Sequence, residues 1–161
     1  MIPWKDPSSH VSRFIAVGQD VRLEVLDWGG AGRPLVLLPG GGNTAHVFDD
    51  FAPKLTSDFH VYGITRRGFG ESGFAPLTSG ADTFGDDVLA VLEALKLERP
   101  VLIGHSIGGQ ELSSVATRLS EPRRRTRVSR CRLSLCLREW QGSDDERVPG
   151  SSGLPAASAA S

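Results

Sequence analysis

The sequence predicts an α/β domain in which an N-terminal hairpin leads into parallel strands with helices on both faces, followed by an irregular tail. Three observations carry this. Short apolar runs of strand length alternate with polar or helix-periodic segments up to Arg118. Glycine-rich stretches stand at the ends of two of those runs, where a buried strand must turn sharply. From residue 119 onward the periodicity stops, and arginine and serine dominate.

The elements follow in order. "SRFIAV" and "VRLEVLDW", joined by "GQD", read as two β-rich runs around a tight turn, a hairpin signal. "LVLLPGGG" is a continuous apolar run ending in glycines, as expected for a strand buried on both faces. "HVFDDFAPKL" reads as a short helix, "FHVYGI" as another buried strand and "TRRGFGESG" as a loop. From Ala81 to Leu97, Phe84, Val88, Val91, Leu92 and Leu95 recur at helical spacing, with Asp82, Asp86 and Asp87 near the positive end of the dipole. Pro100 stops that helix, "VLIG" is a third short apolar strand, and "HSIGGQELSSVATR" opens a helix directly after it. Alternating strands and helices imply a parallel sheet covered on both faces.

The formal net charge of −1 conceals an asymmetry: residues 1–118 carry 10 basic and 14 acidic side chains, and residues 119–161 carry 8 and 5. The chain therefore divides at 118 into an acidic body and a basic, Ser/Arg-rich tail, whose composition predicts disorder. Cys131 and Cys136, the two cysteines, both lie in the tail and give neither a disulfide framework nor a four-ligand zinc site. No apolar run approaches the roughly 20 residues that span a bilayer, and "MIPWKDPSSH" lacks the regions of a secretory signal. The expectation is a soluble, cytoplasmic chain with no membrane partner. The acidic body and the lack of an aromatic stacking surface also argue against nucleic acid as a partner, despite "RRRTRVSRCR".

Chemistry concentrates at Gly104-His105-Ser106-Ile107-Gly108, a G-x-S-x-G placed between a buried strand and a helix. A serine on so sharp a turn sits in a strained conformation, and a glycine on either side admits neighbouring backbone without a Cβ clash. The turn puts the Ile107 amide at a helix N-terminus, where it can donate to a developing oxyanion. The blander reading is a helix-capping serine. His105 is adjacent to the serine, but consecutive residues at such a turn point apart, so it is expected to pack under the loop. His46 and His60 read as helix-start and strand-start residues, and His10 as a flexible N-terminal one.

Together these motifs resemble the α/β-hydrolase fold family over residues 12–118. "LVLLPGGGNTAHVF" resembles the family's third strand and oxyanion loop, which implies Gly41 as the second backbone donor. "GITRRGFGESG" is similar to the loop usually written D-x-R-G-x-G-x-S, and "GHSIGG" to the nucleophile elbow. Two residues depart from the pattern: Pro39 stands where many members have His, and Thr65 where the family commonly has Asp, which removes a loop-organising carboxylate. With serine at the elbow the resemblance implies ester, thioester, lactone or amide chemistry through an acyl-enzyme on Ser106. It implies a small-molecule acyl substrate, no cofactor and no metal.

In this family the partners follow in the order serine, acid, histidine, and no histidine follows Ser106. Glu111 falls on the helix, and Glu121, Glu139, Asp144, Asp145 and Glu146 fall in the tail with no strand to hold them. The expectation is an incomplete α/β-hydrolase fold, an N-terminal half that is weakly active or inactive. Codons permitted for "LSEPRRRTRVSRCR" include, one nucleotide along, "YPNRVAGLVYLDA", which resembles what the family places after the elbow helix; a shifted reading frame would explain the tail. The alternatives are a non-catalytic binding module on a half-built hydrolase fold and a nucleic-acid binder acting through the arginines.

Overall fold

A computed structural model describes residues 8–18, 20–75 and 82–120. Five strands form one mixed sheet: β1 (Val11–Val17), β2 (Val21–Gly29), β3 (Arg33–Leu38), β4 (Phe59–Ile64) and β5 (Val101–Gly104), in the order β1-β2-β4-β3-β5. β1 and β2 make the expected hairpin, β2 also runs antiparallel to β4, and β3 pairs in parallel with β4 on one side and β5 on the other. Among the described residues β5 is an edge strand. Among them it pairs with β3 alone.

Alternation along the strands divides the core between the two sheet faces. Leu23, Val25, Val36, Leu38, Ile64 and Leu102 point to one face and pack with Val88, Val91, Leu92, Leu112 and Val115 of the two α-helices, α1 (Thr83–Ala94) and α2 (Ile107–Ser120). Leu26, Trp28, Leu35, Leu37 and Val61 point to the other, where Ala45 and Ala52 cover them. Both α-helices thus lie on one face. The second is closed by two 3-10 turns, Ala45–Phe48 and Ala52–Leu55, in place of the short helix expected over 46–55. Pro53 explains the break: it has no N–H to give to the Asp49 carbonyl, and its ring would clash with that carbonyl in a continuous α-helix.

α1 is shorter than its periodicity suggests. The Asp82 side chain accepts from the Gly85 amide at its start. At its end Leu97 N–H bonds to Leu92 O and Lys96 N–H to Glu93 O, both at 3.0 Å, with Lys96 at φ 52°. This is a Schellman closure made without glycine, and it ends the helix before Pro100 is reached. α2 continues to Ser120, two residues past the compositional boundary. The rest of the tail, including its arginine cluster, both cysteines and its five acids, lies outside the described residues. No helix among the described residues is long and apolar enough to cross a membrane.

Candidate active site

Because β3, β4 and β5 are parallel, their C-terminal ends open on the same edge of the sheet, and the glycine loop, the loop after β4 and the serine turn all leave from there. The serine turn is tied to the glycine loop through the backbone, His105 N–H donating to Leu38 O at 3.0 Å. Ser106 has φ 55°, a left-handed conformation costly for a residue with a Cβ, and it is exposed. Around it the chain is too close-packed for side chains. A Cβ on Gly104 would lie 2.4 Å from the carbonyl of Gly108, and one on Gly108 would lie 2.6 Å from Leu38 O.

The residues expected to form the oxyanion site are brought together. A Cβ built on Gly41 would lie 3.9 Å from Ile107 Cγ2, and one on Gly40 would lie 3.6 Å from Ser106 Cβ. Ile107 is the first residue of α2, so its amide has no intrahelical acceptor. His105 does not pack under the loop as expected. It is exposed, with its ring over Gly40, whose added Cβ would be 2.6 Å from Nδ1. Among the described residues the Ser106 hydroxyl has no hydrogen-bond partner.

Beneath the glycine loop, a buried polar network organises the loop after β4. Thr65 Oγ1 accepts from the Ala45 amide at 3.0 Å and donates to Glu24 Oε2 at 2.8 Å. Ser72 Oγ donates to Thr65 O at 2.7 Å and accepts from the Glu24 amide at 2.9 Å. The carboxylate missing from position 65 is therefore present after all, delivered from β2 by Glu24, which is 2 % exposed. Arg66, also buried, donates from Nε to Glu111 and from Nη2 to Pro39 O at 2.9 Å, leaving Nη1 without a partner among the described residues. Its guanidinium packs against the Phe69 and Phe84 rings. Glu111 is thus occupied below α2. Burial pushes its carboxyl above the ordinary carboxylate range, more than Arg66 pulls it down.

The remaining histidines are bound elsewhere. His60 Nε2 lies 2.8 Å from Asp27 Oδ1 and its ring stacks on Tyr62. His46 sits between two carboxylates, Asp49 and Glu24. Burial works against its imidazolium, but the Asp49 hydrogen bond and the Glu24 charge outweigh it and raise its pKa. His10, read as a flexible residue, is held by Asp49 at 2.8 Å and packs edge-on against Trp28. The His10–Asp49, His46–Glu24 and His60–Asp27 contacts join residues far apart in sequence, where no periodicity points, whereas His46–Asp49 is a local i,i+3 pair.

The profile of the alpha/beta hydrolase fold matches residues 33–150. The chain belongs to the α/β-hydrolase fold family. Among curated members of the family it is similar to an N-formylmaleamate deformylase of Pseudomonas putida, 34 % identical over 105 residues covering 62 % of this chain and 39 % of that protein. It is also similar to a non-heme chloroperoxidase of Streptomyces lividans, 37 % identical over 100 residues covering 61 % of this chain and 36 % of that protein. Among solved α/β-hydrolase structures, a bromoperoxidase from Bacillus anthracis superposes with a TM-score of 0.61 at 29 % identity, over 67 % of this chain and 40 % of that one. The chain thus spans under two fifths of the length of these two curated α/β-hydrolases. The family match starts within the sheet at Arg33 and runs past Arg118, taking in much of the segment set apart by composition.

Proposed function

We propose that this α/β-hydrolase carries a serine nucleophile at Ser106 and acts on small-molecule esters, thioesters, lactones or amides through an acyl-enzyme. The observation that supports this most is the left-handed backbone of Ser106, which exposes its hydroxyl at the mouth of the sheet beside Gly41 and Ile107. In this reading Oγ gives its proton to a base and attacks the substrate carbonyl carbon, and the carbonyl electron pair moves to oxygen. The Gly41 and Ile107 amides stabilise that oxyanion. Its collapse breaks the bond to the leaving oxygen, sulfur or nitrogen, which takes up the proton from the base, and water then hydrolyses the acyl-enzyme. The deformylase among the relatives is in keeping with an acyl substrate of small size.

A serine hydroxyl needs a base, and sequence 1–161 holds no histidine after Ser106, while His10, His46 and His60 are bound to carboxylates. Residues 1–161 are therefore expected to form an acyl-enzyme slowly and to turn over poorly. The test is labelling with a fluorophosphonate probe, read by peptide mass spectrometry and compared with Ser106→Ala. Slow modification of Ser106 alone supports the proposal. Absence of labelling, or equal labelling of the variant, favours the non-catalytic binding module. We further read the Arg/Ser-rich segment as translated out of frame. The coding DNA one nucleotide along is then expected to encode a proline, an apolar strand, and later an acid and a histidine; an early stop codon there would refute it.

A further inference from the structure

Three side chains from two separate parts of the chain converge beside the first 3-10 turn, none of them among Gly41, Ser106 and Ile107. His10, immediately before β1, places Nδ1 2.8 Å from Asp49 Oδ1, and His46 places Nδ1 3.0 Å from Asp49 Oδ2. One ligand atom from each residue lies within 4.8 Å of the other two. The two imidazole rings meet edge to face, 5.0 Å apart. The cluster is partly enclosed: the His10 side chain is 5 % exposed, Asp49 20 % and His46 36 %.

The groups around the cluster are those that metal-binding side chains require. A ligating histidine usually gives its second ring N–H to a carboxylate, and a ligating carboxylate usually accepts a further hydrogen bond. His46 turns Nε2 towards Glu24 Oε1 at 3.4 Å, and Asp49 Oδ1 accepts from Trp28 Nε1 at 3.2 Å. With neutral rings, Asp49 and Glu24 leave the locality negative.

We propose that His10, His46 and Asp49 form a binding site for a divalent transition-metal ion of the zinc class, through two imidazole nitrogens and one carboxylate oxygen, with water completing the shell. Imidazole with carboxylate selects zinc, cobalt, nickel or copper over magnesium and calcium, which prefer all-oxygen shells. Tetrahedral bonds of about 2.0–2.1 Å set ligand atoms about 3.3 Å apart. His10 Nδ1 and His46 Nδ1 now face different oxygens of Asp49, at 2.8 and 3.0 Å, and the ligand atoms lie within 4.8 Å of one another, so the carboxylate must turn and the rings adjust by up to about 1.5 Å to gather round one ion. To bind, a ring that is protonated at both nitrogens releases its Nδ1 proton to solvent and a neutral ring carries its one proton on Nε2, so that Nδ1 donates its lone pair to the ion and the His46 Nε2–H faces Glu24. The ion would fasten the segment before β1 to the turn that follows the glycine loop, a tie that hydrogen bonds alone make in its absence.

The test uses the full 161-residue chain with Cys131→Ser and Cys136→Ser, so that no thiolate can supply a ligand. Cobalt(II) is titrated and followed by visible absorption, and zinc is titrated by calorimetry. The expected result is one equivalent bound, a tetrahedral cobalt spectrum that zinc displaces, and a melting temperature raised by zinc. His10→Gln and Asp49→Asn should each weaken binding at least about 100-fold, and Glu24→Gln by about 10- to 100-fold. His60→Gln, which alters a ring held by Asp27, should leave affinity unchanged. Lack of saturable binding by the parent, or binding that survives His10→Gln, overturns the proposal, as does equal weakening by His60→Gln. His10 lies outside the sheet, so its variant keeps the test decisive even if Asp49→Asn does not fold.

Discussion

Replacing Gly104 by alanine tests whether the serine turn is held by backbone packing. The added methyl carbon would sit 2.4 Å from both the carbon and the oxygen of the Gly108 carbonyl and 2.8 Å from the Gly109 amide, about 1 Å short of the ~3.4 Å at which such contacts become ordinary. All three obstacles are main-chain atoms at the start of α2, so no side chain can turn aside and the helix must shift off β5. Overpacking of this kind costs about 1–3 kcal/mol, with the upper end apt where backbone must move. Against it stands a gain of about 0.4–1 kcal/mol from the stiffer unfolded chain. The net expectation is a loss of about 2 kcal/mol. Gly108→Ala, facing Leu38 O, should behave alike, whereas Gly41→Ala, whose methyl meets nothing nearer than 3.9 Å, should stay within about 0.5 kcal/mol of the parent. Urea unfolding of the three variants measures this, with the midpoint moving by about 1 M per 2 kcal/mol for a slope near 2 kcal/mol/M. Gly104→Ala as stable as the parent, or Gly41→Ala as damaging as Gly104→Ala, would refute the packing argument.

Three further outcomes are expected. Ser106→Gly should be more stable than Ser106→Ala by about 0.5–1 kcal/mol, because glycine relieves a left-handed cost of about 1–2 kcal/mol and returns part of it as chain entropy; equal unfolding midpoints would show the turn to be unstrained. Thr65→Asp, although it installs the family's common residue, should destabilise by about 2–4 kcal/mol at neutral pH, since Glu24 Oε2 already lies 2.8 Å from Thr65 Oγ1, and Glu24→Gln should relieve it; a stability at or above the parent's would show that the two carboxylates do not meet. The folded pKa of Glu111 is raised above its unfolded value, so its contribution is fully present below the unfolded pKa and is lost as pH rises through the folded one. The melting temperature of the parent relative to Glu111→Gln should therefore rise as pH falls from neutral towards about 5, and a difference that moves the other way would mean that Arg66 dominates.

Residues 59–64 and 101–104 could be read as strands to the residue because each is a short, largely apolar run bounded by polar or turn residues. The serine turn was legible for the same local reason, since strand, glycine and helix start adjoin in sequence. Glu24 and Asp27 were not. Both sit in a β-rich run, yet both are buried because residues more than thirty positions away close over them: Thr65 and Ser72 on Glu24, and His60 on Asp27. The His10–Asp49 and His46–Glu24 contacts also depend on distant elements, the hairpin and the turn at 45–48 together, and only His46–Asp49 is local. The segment at 46–55 misled because its apolar spacing suits a helix, while Pro53 forbids one.

The strand order also fixes when the parts can meet during synthesis and folding. The hairpin closes between Val17 and Val21, β3 joins β4 from Arg33 to Phe59, and β5 reaches β3 only through the pairing of Leu35 with Val101. Contacts between residues so distant in sequence carry the largest closure entropy and form slowly. A four-stranded sheet can therefore assemble while the serine turn is still being made, and Ser106 is forced into its unfavourable backbone only when β5 docks. The strained serine turn is thus the last of these parts to be set, on a scaffold already able to hold it.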